Sequence, residues 1–538
     1  MLKTSKLLGG ASIALLAAAW AAPVQAAPTT ALYAGGATLP EKVYRDIMNC
    51  YGDHSSPGND TAVGLAPVAI CSGAPGTFTP YRPSIQPLYV GVGSGNGVKG
   101  FTAHNAQEYT LPTGGSPRKA DAVPVPSTSD FGPFYGTGTG ATWVPVTGST
   151  VPFPKVTFSG SDDPLKASDI TTYNANSDGW GAAIQVPTMI SVVAVPYKPA
   201  TGTWVEKGKT IAGNAYSKLN LTTNVLCGIF TGVITDWSDP EITAMNGGVQ
   251  LGSGNINVKY RNDSSGTTFL FSNGLVNQCG ATTHPVPATW QTAPGNTAGK
   301  GGNSWFINVV AAGLVPAGAH FAGVAGNNGM KGGITGSDGS IGYISPDFIK
   351  IKNPGGVDID PTGPIAANLQ TYLTASTAAT PVFKAPTGKN GTFIMAATTS
   401  TPQLKVPSFA ANCATLPQGC ANNPLDWGKT NPAPLSASAY PIGGFTFIDT
   451  YTCFASATDV DALAGTTVGA LGYLRWFFGT ATENSSMVKN SLIANGFGLV
   501  PGTWITGAKK LLTTNKPTKI GTPGQANTGC AAVSGTGA

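Results

Sequence analysis

Apolar positions fall into short dense runs separated by Gly-rich turns, and several of those turns open onto a helical pattern. Ala31-Leu32-Tyr33 reads as a strand that breaks at Gly35-Gly36-Ala37-Thr38-Leu39-Pro40, after which Glu41 to Cys50 reads as a helix. Pro40 suits the first helical position, and Thr38 is placed to cap it. Leu88-Tyr89-Val90-Gly91-Val92 predicts a second strand, ending in the Gly-rich turn Gly93-Ser94-Gly95-Asn96-Gly97 before another helix. Ile184 to Val195 is a long apolar run, read as a buried strand pair. Leu219 to Phe230 predicts a helix and Ile234 to Trp237 a turn. Ile256 to Tyr260 predicts a strand that runs into Arg261-Asn262-Asp263-Ser264-Ser265-Gly266-Thr267-Thr268 and then the apolar Phe269-Leu270-Phe271. Val468 to Gly479 reads as a helix with aromatic residues on one side, more core than ligand platform, and Trp237 also reads as core. This alternation of strand, turn and helix predicts an α/β architecture. Stretches at about 52–84, 132–182 and 355–438 are rich in Gly, Thr, Pro, Ser and Asn with little period, and read as surface insertions. The core-like strands between them form two groups, which predicts two lobes.

Residues 1–26 change the length to be folded. Lys3 and Lys6 precede an apolar stretch of small residues from Leu7 to Ala22, and Val24-Gln25-Ala26 fits a small-x-small cleavage site. This predicts a signal peptide, and therefore a periplasmic or secreted protein of the Gram-negative export type. No other apolar run approaches the roughly 18 residues of a membrane span. Eight cysteines in an oxidising compartment predict four disulfides among Cys50, Cys71, Cys227, Cys279, Cys413, Cys420, Cys453 and Cys530. Cys413–Cys420 and Cys50–Cys71 are plausible local loops, which would leave Cys227–Cys279 and Cys453–Cys530, although sequence does not fix connectivity. Only 10% of the 538 residues are charged, and the net charge of +5 is carried by no Lys/Arg block, which argues against a nucleic-acid partner.

The Arg261–Thr268 turn carries the strongest candidate chemistry. It offers a fixed cation, a carboxylate to hold it, two hydroxyls and a glycine, at a helix start whose N–H groups point outward with positive partial charge. An arginine fork matches a tetrahedral oxyanion bidentately. The plainer reading is a structural Arg261–Asp263 salt bridge in a turn, with Ser94 a simple helix cap. Neither a Walker-type phosphate-binding loop nor a dinucleotide fingerprint fits the Gly93 turn. Catalytic readings fare poorly. There is no G-x-S-x-G elbow, no His placed to activate Ser265, no H-E-x-x-H motif and no cluster of Asp and His for a metal-dependent phosphatase. His54, His104, His284 and His320 lie scattered in polar loops and are expected mostly at the surface. No cofactor is expected.

With these motifs in order, the chain resembles the periplasmic phosphate-binding proteins that serve ABC transporters. Ala34 to Pro40 is similar to that family's G-A-G-A-T-F-P, Tyr89 to Lys99 to its Y-x-G-x-G-S-x-x-G-V-K, and Gln185 to Thr188 to its Q-F-P-T. Gly228 to Trp237 is similar to G-x-I-F-x-G-x-I-x-x-W, and Arg261 to Thr267 to R-x-D-x-S-G-T. Gly326 to Gly329, Gly339 to Tyr343 and Tyr440 to Ile442 resemble later motifs. The resemblance implies a two-lobed Venus-flytrap fold that holds inorganic phosphate in the cleft for an ABC permease of the inner membrane. It places lobe one at 27–196 plus 446–538 and lobe two at 197–445, with crossings near Val195–Tyr197 and Gly444–Phe447. It implies phosphate contacts from Thr38, Leu39 and Ser94 on one side, and from Arg261, Ser265, Gly266 and Thr267 on the other, with Asp263 supporting Arg261. A carboxylate acceptor for the phosphate proton falls on Asp130 in Thr128-Ser129-Asp130, with Asp121 the weaker substitute. Two alternatives remain open. One is a binder of another oxyanion such as arsenate, and the other an extracellular or surface interaction protein on the same fold.

Overall fold

The computed structural model describes residues 30–52, 80–105, 155–176, 179–199, 219–371, 381–396, 405–429, 434 and 436–538 except 468 and 485, with short pieces elsewhere between 108 and 212. Two five-stranded sheets organise the chain. The first runs in the order Ile85–Gly91, Thr30–Gly36, Phe158–Ser161, Gly443–Tyr451, Ala183–Val192. Its first three strands are parallel, and Gly443–Tyr451 is antiparallel to both of its neighbours. All five are buried along their length, because helices cover both faces. The second sheet runs His320–Val324, Asn257–Arg261, Ser340–Ile341, Pro196–Tyr197, Ile365–Ala366.

The chain passes between the sheets at residues 193–195, just ahead of the expected crossing. Val193 N–H donates to Ile442 O at 3.0 Å, on the first lobe. Ala194 exchanges a pair of backbone bonds of 2.9 Å with Ile344, and Val195 O accepts from Ala367 N at 2.9 Å, both on the second lobe. The expected strand pair at 184–195 is thus one strand followed by this bridge.

The return differs from expectation. The helix Gly388–Ala396 packs on Ala183–Val192, and a Cβ on Gly391 would stand 2.7 Å from Val192 Cγ1. Gln185 Nε2 donates to Pro424 O at 2.8 Å, and the Trp427 and Trp504 rings lie 5.8 Å apart. Residues 388–428 that are described therefore cover the first sheet, although they were expected in the second lobe, and Gly444–Phe447 lie inside a first-sheet strand rather than at a crossing. The expected insertion at 132–182 also contains an integral piece, since Phe158–Ser161 is the central strand of the first sheet. Its small residues hid it. Gly160 O is where a Cβ on Gly36 or Gly97 would collide, at 2.1 and 2.8 Å, so neighbouring backbone fills the space that large apolar side chains usually fill.

Smaller expectations resolve simply. The first helix is Glu41–Tyr51. The segment from Leu219 begins as the strand Asn220–Leu221, and Thr222 caps the helix Thr223–Phe230 by accepting from Val225 N at 3.2 Å. The aromatic helix is short, Tyr473–Phe477, and sits in the core, as does Trp237, whose indole N–H donates to Gly339 O at 3.0 Å. Disulfides join Cys227–Cys279, Cys413–Cys420 and Cys453–Cys530. Cys50 is also disulfide-bonded, and Cys71 lies outside the described residues. His320 is exposed and His284 Nε2 contacts Glu241 at 2.8 Å, whereas His104 departs from the surface expectation. It packs on the rings of Trp180 and Tyr451, and burial followed by the nearby Lys155 charge brings its pKa down to about 4. His54 lies outside the described residues. No helix among the described residues is long and apolar enough to cross a membrane.

Candidate functional site

Three helix starts meet where the two sheets face each other. The loop Thr38-Leu39-Pro40 leads into Glu41–Tyr51, Gly93 leads into Ser94–Thr102, and Ser265 caps Gly266–Gln278 by accepting from Thr268 N at 3.3 Å. The first two belong to the first lobe and the third to the second. Glycine permits their approach. A Cβ on Gly95 would lie 2.1 Å from Ser264 Oγ, and one on Gly266 would lie 2.2 Å from Ser94 Oγ and 2.7 Å from Asp162 Oδ2. Gly93 combines a φ of 88° with a would-be Cβ 2.5 Å from Ser264 O, so both conformation and space demand glycine there.

Arg261 ends a second-lobe strand and is fully buried. Its Nε donates to Asp263 Oδ1 at 2.6 Å and its Nη2 bonds Asp263 Oδ2, while Nη1 donates to Asn327 Oδ1 at 3.2 Å. Nη2 also reaches across to Thr38 Oγ1 at 3.1 Å. Asn327 repeats that crossing, donating from Nδ2 to Thr38 O at 2.9 Å. Asp263 Oδ1 takes a further bond from Gly326 N at 3.1 Å, so the cation is neutralised and locked in place. Behind it, the Tyr343 hydroxyl accepts from Arg261 N at 3.0 Å and pairs with Thr268 Oγ1 at 2.9 Å. Thr267 Oγ1 is buried with no hydrogen-bond partner among the described residues.

Thr38, Leu39, Ser94, Arg261, Ser265, Gly266 and Thr267 are thus gathered at one place and buried. Asp130 and Asp121 lie outside the described residues. The carboxylate that is placed here is Asp162, which was not anticipated. It follows the strand Phe158–Ser161, and its N–H donates to Ser94 Oγ at 3.1 Å. Its Oδ1 accepts from Thr446 Oγ1 at 2.5 Å, and its Oδ2 is buried with no hydrogen-bond partner among the described residues. Burial pushes the Asp162 carboxyl up to about 7, opposed by the Thr446 hydroxyl and the Arg261 charge and reinforced by Asp163. The signal for it was Phe158-Ser159-Gly160-Ser161-Asp162, a Phe and small residues ahead of Ser-Asp, which lay inside a stretch read as insertion. Asp163 adds another link between the lobes, with Oδ2 accepting from Asn303 Nδ2 at 3.1 Å and from Lys166 Nζ at 2.7 Å.

The arrangement offers N–H and O–H donors from three helix starts, one neutralised cation and one buried carboxylate oxygen. That set suits a tetrahedral anion that still carries a proton.

Residues 59–410 match the PBP superfamily domain. A phosphate-binding protein from an unknown prokaryotic organism is 30% identical over 437 residues, which is 75% of this chain and 94% of that protein. The Pseudomonas aeruginosa protein called alkaline phosphatase L is 26% identical over 512 residues, covering 94% of this chain and 92% of its own. Among solved structures, a human phosphate binding apolipoprotein superposes with a TM-score of 0.55 at 24% identity, over 94% of this chain and 100% of that one.

Proposed function

Because the chain belongs to the PBP superfamily, we propose that it is an exported solute-binding protein that captures inorganic phosphate between its lobes and delivers it to an ABC permease. The observation that carries this reading is the Asp162 Oδ2 atom, buried without a partner beside Ser94 and the Gly266 helix start. Phosphate near neutral pH keeps at least one proton and can donate it there. Sulfate is fully ionised and offers only lone pairs, so it would set charge against charge and leave a buried acceptor unpaired, a cost of about 1–3 kcal/mol or more. Arsenate has the shape and protonation of phosphate and is expected to compete.

Binding without turnover fits the side chains. Ser265 Oγ accepts from Thr268 N as a helix cap. His284 is engaged with Glu241, and His104 packs among aromatic rings. Arg261 is held by Asp263 and Asn327 and supplies no nucleophile. The direct test is calorimetry on ligand-stripped protein with phosphate, sulfate and arsenate, with Asp162→Asn and Arg261→Ala alongside. Phosphate binding that ignores sulfate and weakens in both variants supports capture. If no oxyanion binds, the reading fails and an interaction role on this fold gains ground.

A further inference from the structure

Leu39 lies in the middle of the first-lobe loop Thr38-Leu39-Pro40 and is fully buried. Its carbonyl stands outside the bonding of the following helix, where Glu41 N reaches Thr38 O at 3.5 Å and Tyr44 N reaches Pro40 O at 2.8 Å. The donor to Leu39 O is the Ser345 hydroxyl of the second lobe, at 2.8 Å. Ser345 Oγ also lies in hydrogen-bond contact with Asp347 Oδ1. A serine hydroxyl has one proton to give, so it cannot serve both the Leu39 carbonyl and an ionised Asp347. Both contacts are met together when Asp347 carries the proton, donates to Ser345, and Ser345 donates onward to Leu39.

The surroundings of Asp347 favour that state. The residue is buried, and its Oδ2 has no hydrogen-bond partner among the described residues. The charged groups around it come from both lobes. Lys42 Nζ lies 3.0 Å from the Asp347 carbonyl and 3.6 Å above the Phe348 ring. Lys42 is shared with Asp360 at 3.7 Å, which Lys331 holds at 2.7 Å, and Glu41 adds negative charge from the helix start. Burial pushes the Asp347 carboxyl up to about 7, against the pull of Lys42 and Ser345 and with the help of Glu41.

We propose that Ser345 and Asp347 are a proton-dependent positioning pair that holds the Thr38–Leu39 loop against the second lobe and tightens anion capture while Asp347 is protonated. The proposal rests on the reading of that loop as one wall of the phosphate site. As pH rises through about 7, Asp347 ionises and draws the Ser345 hydroxyl to itself, and the Leu39 carbonyl loses its donor. Asp162 titrates in the same window, so the assignment comes from the difference between variants rather than from the wild-type profile.

Asp347→Asn places an amide donor beside Ser345 at every pH. Phosphate affinity is measured at about pH 5.5 and about pH 8.5 for wild type, Asp347→Asn and Ser345→Ala. At the lower pH, wild type and Asp347→Asn should agree to within about twofold, and Ser345→Ala should bind about tenfold more weakly. At the higher pH, Asp347→Asn should bind about tenfold more tightly than wild type, while Ser345→Ala should match wild type. A wild-type to Asp347→Asn ratio that is the same at both pH values overturns the pair, and so does a Ser345→Ala deficit that persists at high pH if the Asn variant does not fold. If wild type binds no phosphate, the functional reading has failed, and the pair is judged by small-angle scattering on the phosphate-free protein. Expansion between the two pH values in wild type but not in Asp347→Asn supports it, and equal behaviour removes it.

Discussion

The two walls of the cleft are built by different means. The second-lobe wall is nearly one stretch of sequence, with Arg261, Asp263, Ser265, Gly266 and Thr267 following a single strand into a single helix. The first-lobe wall is assembled from separate strand ends, namely Thr38 after Thr30–Gly36, Ser94 after Ile85–Gly91, and Asp162 after Phe158–Ser161. Those three strands are neighbours in the sheet but lie far apart in the chain. One wall is a local motif, and the other is a product of sheet order.

The largest test of this contrast is Arg261→Ala. It leaves the half-buried Asp263 beside an empty place and removes the bond to Thr38 Oγ1. Phosphate affinity should fall by about 4 kcal/mol, roughly a thousandfold, in calorimetry. A loss under tenfold would mean that the second-lobe wall is no more than a structural turn.

Asp162→Asn probes the opposite wall. It replaces an acceptor with a group that can donate, so phosphate should weaken by about 2–3 kcal/mol while sulfate begins to compete. The wild type gives the same information through pH. Ligand-free Asp162 is protonated below about pH 7 and ionised above it. Sulfate competition should therefore grow as pH falls through that range in the wild type and stay level in the Asn variant. Rejection of sulfate unchanged by either manoeuvre would move the selective carboxylate elsewhere.

Gly266→Ala acts where the walls meet. Its methyl would stand 2.2 Å from Ser94 Oγ and 2.7 Å from Asp162 Oδ2, so the lobes must part by a few tenths of an ångström or more. An affinity loss of about tenfold is expected, with a larger radius of gyration in scattering. The smallest effect belongs to Gly332→Ala, in the helix Gly326–Thr335, where a Cβ meets nothing within 4 Å. It should leave binding unchanged and raise stability by about 0.5–1 kcal/mol in thermal unfolding.

The same contrast explains what was legible in the sequence. Arg261 to Thr267 carries cation, counter-ion, cap and glycine in order, and the structure places those residues together. Thr38 and Ser94 were legible because each follows an apolar strand run and a Gly-rich turn. Asp162 was not, because the strand before it has only one large apolar side chain, Phe158. Its burial comes from backbone packing at Gly36, Gly97 and Gly160, which no hydrophobic period records. The return of the chain to the first lobe was missed for a related reason. The polar stretch around Pro424 covers the Ala183–Val192 strand through a backbone carbonyl and the single indole of Trp427. The pairs Ser345–Leu39, Asn303–Asp163 and Thr446–Asp162 form only by folding, across separations of 306, 140 and 284 residues.

The pairing of Arg261 with Asp263 has a kinetic consequence. The cation is cancelled before any anion arrives, and the chain as a whole carries +5 on only 10% charged residues. Little long-range field then draws phosphate toward the cleft, so the encounter rate should vary weakly with ionic strength. Tight retention would instead reside in a slow dissociation rate, set by how seldom the lobes part.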